Sequence, residues 1–197
     1  MTSDPYTDPA TGLLRNWLGI RDAGELARVE TDVSTVALYR LQTRPLPGGY
    51  DLAHLQGFHQ VIFGAVYPWA GEIRTVALAK TGMFCLPEHI ASYAAEVFDH
   101  LAAEQHLRGL DRDAFLDRLT HYSGEINALH PFREGNGRTQ RAFLSQLARD
   151  AGHHLAWSRL DPVRNIEAFT ASLNGDDALL RVMLNDILSP DTDFGRP

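Results

Sequence analysis

A twelve-residue stretch past the middle of the chain carries most of the side chains that could do chemistry. Residues 130–141 read HPFREGNGRTQR and combine a histidine, a carboxylate, an asparagine between two glycines, and arginines at 133, 138 and 141. Glycines let a backbone approach a ligand closely, and the first N–H groups of a helix attract anions. Arg138 and Arg141 would share one helix face and could both reach phosphate oxygens. The stretch therefore predicts a site for more than one phosphate.

A carboxylate and a histidine extend this interpretation. Glu134 is out of place in a pure anion site, but Mg²⁺ typically binds one or two carboxylates together with substrate phosphates. His130 is the only residue of the stretch with a solution pKa near neutrality, so it is the candidate general base. The residue types together predict a triphosphate, Mg²⁺ and transfer to an acceptor hydroxyl. From chemistry alone, a surface turn between two helices with a capping histidine stays open as the alternative.

Composition restricts the class of protein. The 197 residues are 44% hydrophobic and 22% charged, which suits a globular chain with one core. A net charge of −7 argues against a general nucleic-acid binder, because phosphate backbones are held mainly by Lys and Arg patches. The single cysteine, Cys85, excludes an internal disulfide, and no segment has the pattern of a signal peptide or a membrane span. We therefore expect a cytoplasmic protein without nucleic-acid or membrane partners, although a secreted effector is not excluded.

Hydrophobic residues at helical spacing predict a mainly α fold. The segments with this period are residues 23–43, 52–64, 87–107, 111–129, 138–151, 162–172 and 177–188. Residues 1–16 are expected to form an irregular lead-in, and residues 189–197 a frayed tail. No linker or repeat interrupts the chain, so residues 1–197 are predicted to form a single domain.

Residues 67–86 follow a different pattern. Hydrophobic residues alternate around Ile73, Val76 and Leu78, and glycines stand at positions 71 and 82. Alternation bounded by glycines is typical of short extended segments. We predict a short β-hairpin here.

Two histidines outside the motif are less informative. His54 and His59 lie five residues apart on a predicted helix, which is poor spacing for shared metal ligation. We expect both to be surface or boundary residues.

Residues 130–141 resemble the signature of the Fic family of protein adenylyltransferases at each defining position. The similarity extends to DPATGLLRNWLGI near the start of the chain, to VYPWAGEIRT and to LPEHI. The resemblance implies the helical Fic fold with a short β-hairpin flap over the active site. It also implies transfer of AMP from ATP to a Ser, Thr or Tyr hydroxyl of a target protein.

The resemblance further implies a role for each residue of the motif. His130 would take the proton of the hydroxyl, and Glu134 would hold Mg²⁺ between the α- and β-phosphates. Three consecutive residues would form the anion hole: Gly135, Asn136 and Gly137. Arg138 would contact the β-phosphate side, and Arg141 would contact the γ-phosphate.

The predicted hairpin occupies the place of the family's flap, at about Arg74 to Leu86. A target segment could join the free edge of such a hairpin by main-chain hydrogen bonds, which would bring its hydroxyl to His130. Lys80 and Thr81 near the tip are similar to flap residues that touch the nucleotide or the target.

Many Fic proteins are restrained by a helix with the pattern Ser/Thr-x-x-x-Glu-Gly/Asn, whose glutamate pairs with the second arginine of the motif. The nearest segment in this chain runs from Thr170 to Gly175 and has Asn174 in place of the glutamate. This departure implies a toxin-type enzyme that is restrained by a separate small antitoxin, which would supply the glutamate.

Other functions stay open at this level. Kinase-like relatives of the Doc type carry a lysine where Gly137 stands, so the glycine favours AMP transfer. Transfer of another group, such as UMP or phosphocholine, is not excluded, because no residue of the loop is of a kind that would recognise the base. A non-catalytic nucleotide-binding regulator is also possible, although His130 argues against it.

Overall fold

A computed structural model of the chain describes residues 4–80 and 82–189, and these residues fold mainly into helices. The α-helices of this part of the chain are α1 (Ala23–Thr43), α2 (Leu52–Phe63), α3 (Ile90–Ala103), α4 (Arg112–Leu129), α5 (Asn136–Asp150), α6 (Pro162–Leu173) and α7 (Ala178–Ile187). Short 3-10 helices lie at Pro87–His89, Gln105–Leu107 and Trp157–Arg159. The predicted mainly α fold is confirmed. Within the described ranges, no helix is both long enough and apolar enough to cross a lipid bilayer.

Aspartate side chains fix where several helices begin. Asp22, Asp51, Asp111 and Asp161 each precede a helix and accept a hydrogen bond from a first-turn N–H group. Such caps satisfy donors that have no partner inside the helix. Apart from the third helix, the predicted boundaries agree with the structure to within about two residues.

The third predicted helix, residues 87–107, is shorter than expected. A 3-10 turn occupies its start, and α3 ends at Ala103. The chain then passes through three consecutive residues with positive φ, at 52°, 54° and 62°, which end at Leu107. Left-handed conformations are unfavourable for such residues. They are tolerated here because the turn buries Leu107 completely in the core.

The helices on either side of residues 130–135 are central to the core. α4 packs against α3, α5, α6 and α7, while α5 packs against α1, α2 and α4. The largest buried aromatic side chains come from α2, α4, α5 and the loop that joins the last two: Phe58, Phe63, Phe115, Tyr122, Phe132 and Phe143. Close packing on both sides fixes the ends of this loop, because neither helix can shift alone.

Residues 74–86, which we call the flap loop, run beside the C-terminal end of α4. The predicted β-hairpin is wrong, since the described part of the chain contains isolated β-bridges and no β-strand. One of these bridges joins Ala79 to Met83 inside the flap loop. Thr81, near the tip, lies outside the described residues.

The flap loop lacks a β-ladder because its two ends bond to other elements. The Arg74 N–H donates to the Pro131 carbonyl and the Cys85 N–H donates to the Ala128 carbonyl, both at 2.9 Å. Main-chain donors used in this way cannot also form a ladder between the two limbs. The loop is therefore fastened to the end of α4 and to the start of the motif.

The described segment before α1, from residue 4 onward, contains turns and one isolated bridge between Thr7 and Leu14. It fastens to the same region, because the Asp4 carboxylate pairs with Arg133 at 2.8 Å and the Tyr6 hydroxyl accepts from the Thr75 N–H at 2.9 Å. Most of the predicted tail, positions 190–197, lies outside the described residues. The assignment of residues 1–197 to one domain stays a prediction.

Candidate active site

His130 ends α4 in a conformation that few residues adopt. Its φ and ψ of 42° and 57° are left-handed, and its N–H donates to the Ile126 carbonyl at 3.2 Å. This region costs a non-glycine residue about 1 to 2 kcal/mol, so neighbouring contacts must hold the residue there. The turn directs the chain away from α4 and leaves the imidazole in the wall of a cavity.

The imidazole of His130 is held neutral with one free lone pair. Its Nδ1 lies 3.3 Å from the Asn127 carbonyl oxygen, which can only accept, so Nδ1 carries the hydrogen and Nε2 the lone pair. The Phe84 ring stacks on it at 3.7 Å with an interplanar angle of 13°. Burial, followed by the charges of Lys80 and Arg74, lowers the pKa of His130 to about 3. At neutral pH the ring is therefore in the form that accepts a proton.

Asn136 closes the loop between α4 and α5. Its side-chain oxygen accepts from the Phe132 N–H at 2.9 Å, and its amide nitrogen donates to the Phe132 carbonyl at 2.7 Å. The Phe132 ring is itself buried in the core. Because both ends of the Asn136 amide bond to Phe132, the side chain fixes the shape of the loop.

The two glycines of the loop differ in what they require. Gly135 has a φ of 81°, and a Cβ there would overlap the ring of Phe63 on α2. At Gly137 the nearest atom to an added Cβ is Arg141 Nη1 at 3.7 Å, an ordinary contact. The first glycine is therefore demanded by the backbone and by packing, whereas the second leaves an exposed surface without a side chain.

The N-terminus of α5 is disposed as an anion site requires. No side chain caps the helix start at Gly135, and the first N–H groups of a helix have no partner within it. The positive end of the helix dipole adds to these groups. The Glu134 carboxylate accepts from the Gly135 N–H at 2.9 Å, which places an acidic group beside the anion site.

A cavity of about 270 Å³ opens at this point. Its lining includes most of the site residues selected from the sequence: His130, Glu134, Gly135, Asn136, Gly137, Arg141 and Lys80. The structure thus brings together the flap loop, the end of α4 and the start of α5. Much of the remaining lining is apolar and includes Trp157, Ile166, Phe169 and Leu173.

Arg138 is the described site residue that does not line this cavity. Its guanidinium forms a salt bridge with Glu30 of α1, donates to the Ser34 hydroxyl at 3.1 Å and lies 4.7 Å over the Phe63 ring. Glu30 also accepts from the Tyr67 hydroxyl. Contact between Arg138 and a β-phosphate would require this salt bridge to open.

Arg141, one turn further along α5, is a partly buried cation. Burial, followed by the charge of Arg138, lowers its pKa, and no carboxylate in the described residues contacts its guanidinium. It lines the first cavity and also a second cavity of about 520 Å³ between α1, α5 and residues 154–158. A partly buried charge without a partner is costly, so this position favours an anion supplied from outside the chain.

His59 of α2 bonds to the main chain of the motif, a role that the sequence does not suggest. Its Nδ1 accepts from the Gly71 N–H at 2.7 Å, and its Nε2 therefore donates to the Glu134 carbonyl at 2.9 Å. The ring stacks on Phe132 at 3.9 Å. Burial is the main cause that lowers the pKa of His59, to about 4. The neutral ring joins α2 to the residue that carries the site's carboxylate.

The expectation that His54 and His59 lie at the surface or boundary is wrong, because their side chains are 4% and 0% exposed. His54 makes a similar bridge, accepting from the Tyr50 N–H at 3.2 Å and donating to the Leu46 carbonyl at 2.9 Å. A signal was available in the sequence. Each histidine precedes a buried phenylalanine of α2 by four residues and so lies on its apolar stripe.

Comparison with solved structures defines the fold. The BepC protein of Bartonella tribocorum, solved with bound AMPPNP, superposes with a TM-score of 0.87 over 95% of this chain and 97% of that chain. The sequence identity is 24%. The likeness identifies the helical arrangement as the Fic fold.

Sequence comparison then gives the family. Residues 49–148 match the model of the Fic/DOC family. The protein adenylyltransferase VbhT of Bartonella schoenbuchensis is 44% identical over 184 residues, which cover 93% of this chain and 38% of VbhT. The probable protein adenylyltransferase y4lH of Sinorhizobium fredii is 41% identical over 181 residues, which cover 90% of this chain and 92% of y4lH. The chain belongs to the Fic/DOC family.

We expect Gly135→Ala to lower the free energy of unfolding by at least about 2 kcal/mol, because alanine would combine a positive φ with an overlap on Phe63. Gly137→Ala is the matched control and should change it by less than about 0.5 kcal/mol. Urea unfolding followed by circular dichroism measures both. Equal stability of the two variants would contradict the role of Gly135.

We expect the free energy of unfolding to fall as the pH drops from about 6.5 to about 4. The pKa values of His59 and His130 are lowered in the fold to about 4 and about 3, so the unfolded chain binds more protons in this window and stability is lost there. His59→Gln keeps one donor and one acceptor and should flatten the pH dependence by roughly 3 kcal/mol. Urea midpoints measured across the window test this. A curve for His59→Gln parallel to that of the wild type would rule it out.

Proposed function

We propose that this chain is a protein adenylyltransferase, which transfers AMP from ATP to a Ser, Thr or Tyr hydroxyl of a target protein. The observation that carries the proposal is one cavity that contains the neutral His130, the N-terminus of α5 and Arg141, which no carboxylate of the described residues contacts. A base, an anion hole and a free cation are the groups that phosphate transfer to a hydroxyl needs. The names of VbhT and y4lH support the same activity.

ATP would lie in the cavity with its triphosphate across the start of α5. The main-chain N–H groups of Asn136 and Gly137 and the guanidinium of Arg141 would bind the β- and γ-phosphates. The apolar lining at Trp157 and Phe169 offers the kind of surface on which a flat base packs. In this orientation the α-phosphorus faces Nε2 of His130, so the transferred group is AMP.

Mg²⁺ is the metal that the resemblance implies, and the residues present fit it. No group of three or more His, Cys, Asp or Glu side chains in the described ranges could hold a metal alone. Mg²⁺ commonly takes one or two carboxylates and completes its coordination with substrate phosphates and water. Glu134, exposed in the cavity lining, would hold the ion together with ATP. The bound ion would offset phosphate charge.

The residues of the cavity would have different roles in the reaction. Nε2 of His130 takes the proton of the target hydroxyl as the hydroxyl oxygen forms a bond to the α-phosphorus. The bond from the α-phosphorus to the oxygen bridging to the β-phosphate breaks, and pyrophosphate leaves with that electron pair. The N–H groups at the start of α5 and Arg141 bind the phosphate charge throughout. The proton on His130 then returns to solvent.

The target protein would dock along the flap loop. Val76 and Leu78 are partly buried, while the residues on either side of each are exposed, as in an extended strand. In the described residues, none of positions 76–79 donates a main-chain hydrogen bond to another main-chain group. An extended segment of the target could therefore pair with this limb. Lys80, which lines the cavity, would then lie where the target meets the nucleotide.

We also propose that a separate small antitoxin restrains the chain by supplying a glutamate to Arg141. The second cavity combines the guanidiniums of Arg138, Arg141 and Arg149 with apolar side chains of α1 and of residues 154–158. An acidic amphipathic helix has the matching chemistry. Binding there would compete with the γ-phosphate for Arg141.

The segment of this chain that comes nearest to the inhibitory pattern could not replace the antitoxin. Asn174 donates to the Thr170 carbonyl at 2.7 Å and lines neither cavity. An amide in that position could not form the ion pair of a glutamate. A cytoplasmic place of action, where toxin and antitoxin would meet, stays a prediction.

We expect label from α-labelled ATP, and none from γ-labelled ATP, to appear on protein when the chain is incubated with Mg²⁺ and host lysate. His130→Ala should abolish the transfer, because the other proton acceptor that lines the cavity, the Glu134 carboxylate, would hold Mg²⁺. His100→Ala, on the exposed face of α3, is the matched control and should transfer normally. Label from the γ position alone would mean a kinase. Equal transfer by wild type and His130→Ala would contradict the proposed role of His130.

The antitoxin proposal predicts that the isolated chain is active without a further factor. A synthetic helical peptide with the Ser-x-x-x-Glu-Gly pattern should weaken ATP binding by roughly tenfold or more, about 1.4 kcal/mol, because its glutamate occupies Arg141. The same peptide with alanine in place of glutamate should have little effect. Isothermal titration measures both. An isolated chain that binds ATP but transfers nothing would contradict restraint by a separate protein.

A further inference from the structure

Arg74 is the largest side chain that the fold buries completely, at 1% exposed. Burial lowers its pKa, and no carboxylate pairs with it in the described residues. Burying a guanidinium is costly unless its donors are satisfied. Each of the three guanidinium nitrogens of Arg74 donates to a main-chain carbonyl: Nε to His130 at 2.8 Å, Nη1 to Val76 at 2.8 Å and Nη2 to Cys85 at 2.5 Å. The three carbonyls belong to the motif and to the flap loop, so the buried guanidinium connects these two elements.

The first carbonyl belongs to the candidate base. His130 has the left-handed φ of 42°, which is unfavourable unless surrounding contacts hold it. The Nε of Arg74 binds the His130 carbonyl, and the Arg74 N–H binds the next carbonyl, that of Pro131, at 2.9 Å. Two successive peptide groups of the motif are therefore fixed by one residue.

The other two carbonyls belong to opposite limbs of the flap loop. Val76 and Cys85 stand nine positions apart, and the limbs share only the isolated Ala79–Met83 bridge within the described residues. The guanidinium joins the limbs where a β-ladder would otherwise do so. Phe84, next to Cys85, stacks on the His130 ring. The separation of the limbs therefore also sets the contact between the flap loop and the base.

We propose that Arg74 is a positioning residue that holds the His130 base and the flap loop at a fixed separation. Arg74 does not line the cavity and does not touch the reacting groups. The inference rests on the proposed AMP transfer, in which a hydroxyl bound along the flap loop must meet Nε2 of His130. Lysine could not take over this role, because one ammonium lacks the planar fork that reaches three carbonyls.

The charge of Arg74 also acts on the base. It is one of the charges that, after burial, lower the pKa of His130, the other being Lys80 on the flap loop. Arg74→Gln, which removes the charge, should therefore change the pKa of His130 more than Arg74→Lys, which keeps the charge but loses the planar guanidinium. This difference separates positioning by hydrogen bonds from a general loss of stability.

The test compares Arg74→Lys and Arg74→Gln with the wild type. We expect both variants to lose roughly tenfold or more in kcat for AMP transfer, since small misplacements of reacting groups are costly. The Kd for ATP should stay within about twofold, because Arg74 lies outside the cavity. Arg118→Lys is the matched control: Arg118 pairs with Glu104 at 2.5 Å and lines neither cavity. It should keep its kcat.

Histidine NMR gives a readout that needs no target protein. The His130 imidazole signals, assigned by their loss in His130→Ala, should shift in both Arg74 variants as the stack with Phe84 changes. The pKa of His130 should rise in Arg74→Gln and stay nearer to the wild-type value in Arg74→Lys, which keeps the charge. A kcat of Arg74→Lys within about twofold of the wild type would overturn the inference. So would a loss of ATP affinity equal to the loss of kcat.

The two proposals can fail separately. A wild-type chain that transfers no AMP would overturn the proposed function alone. Unchanged His130 signals in both Arg74 variants would overturn the positioning role of Arg74, whatever the activity of the wild type.

Discussion

Hydrogen bonds from buried side chains to the main chain of residues 130–134 hold the candidate site together. Three side chains form these bonds: Arg74 bonds to residue 130, Asn136 to residue 132 and His59 to residue 134. All three side chains are buried, and leaving such a group unpaired costs about 1 to 3 kcal/mol. These bonds fix the main chain of the loop between the two helices. Base and anion site are arranged before any ligand binds, which is the condition for electrostatic stabilisation of phosphate transfer.

The fold could be predicted from the sequence where it depends on local properties. Hydrophobic spacing and the capping aspartates give the helices and most of their boundaries, because both act within a few residues. The flap loop is the segment where prediction from local properties fails. Its alternating pattern at Val76 and Leu78 predicts a strand, and burial does alternate there. A strand also needs a partner, and the ends of this segment bond instead to the end of α4 and to Pro131.

The candidate site likewise combines residues that the sequence places together with contacts that it does not indicate. Residues of the motif reach one cavity because they are contiguous at a helix start, which the sequence shows directly. Arg138 instead pairs with Glu30, 108 positions earlier, and no local pattern indicates that pairing. His59 and Arg74 act on the motif from 75 and 56 positions away. Their partners are main-chain carbonyl groups, which every residue has. The residue types of the motif therefore do not indicate these contacts.

The orientation of the nucleotide in the first cavity decides between AMP transfer and its alternatives. A crystal structure of the chain with AMPPNP and Mg²⁺ measures that orientation directly. We expect the α-phosphorus to face Nε2 of His130 and the γ-phosphate to lie beside the guanidinium of Arg141. A γ-phosphate at His130, or a triphosphate bound in the second cavity beside Arg149, would contradict the assignment as an adenylyltransferase.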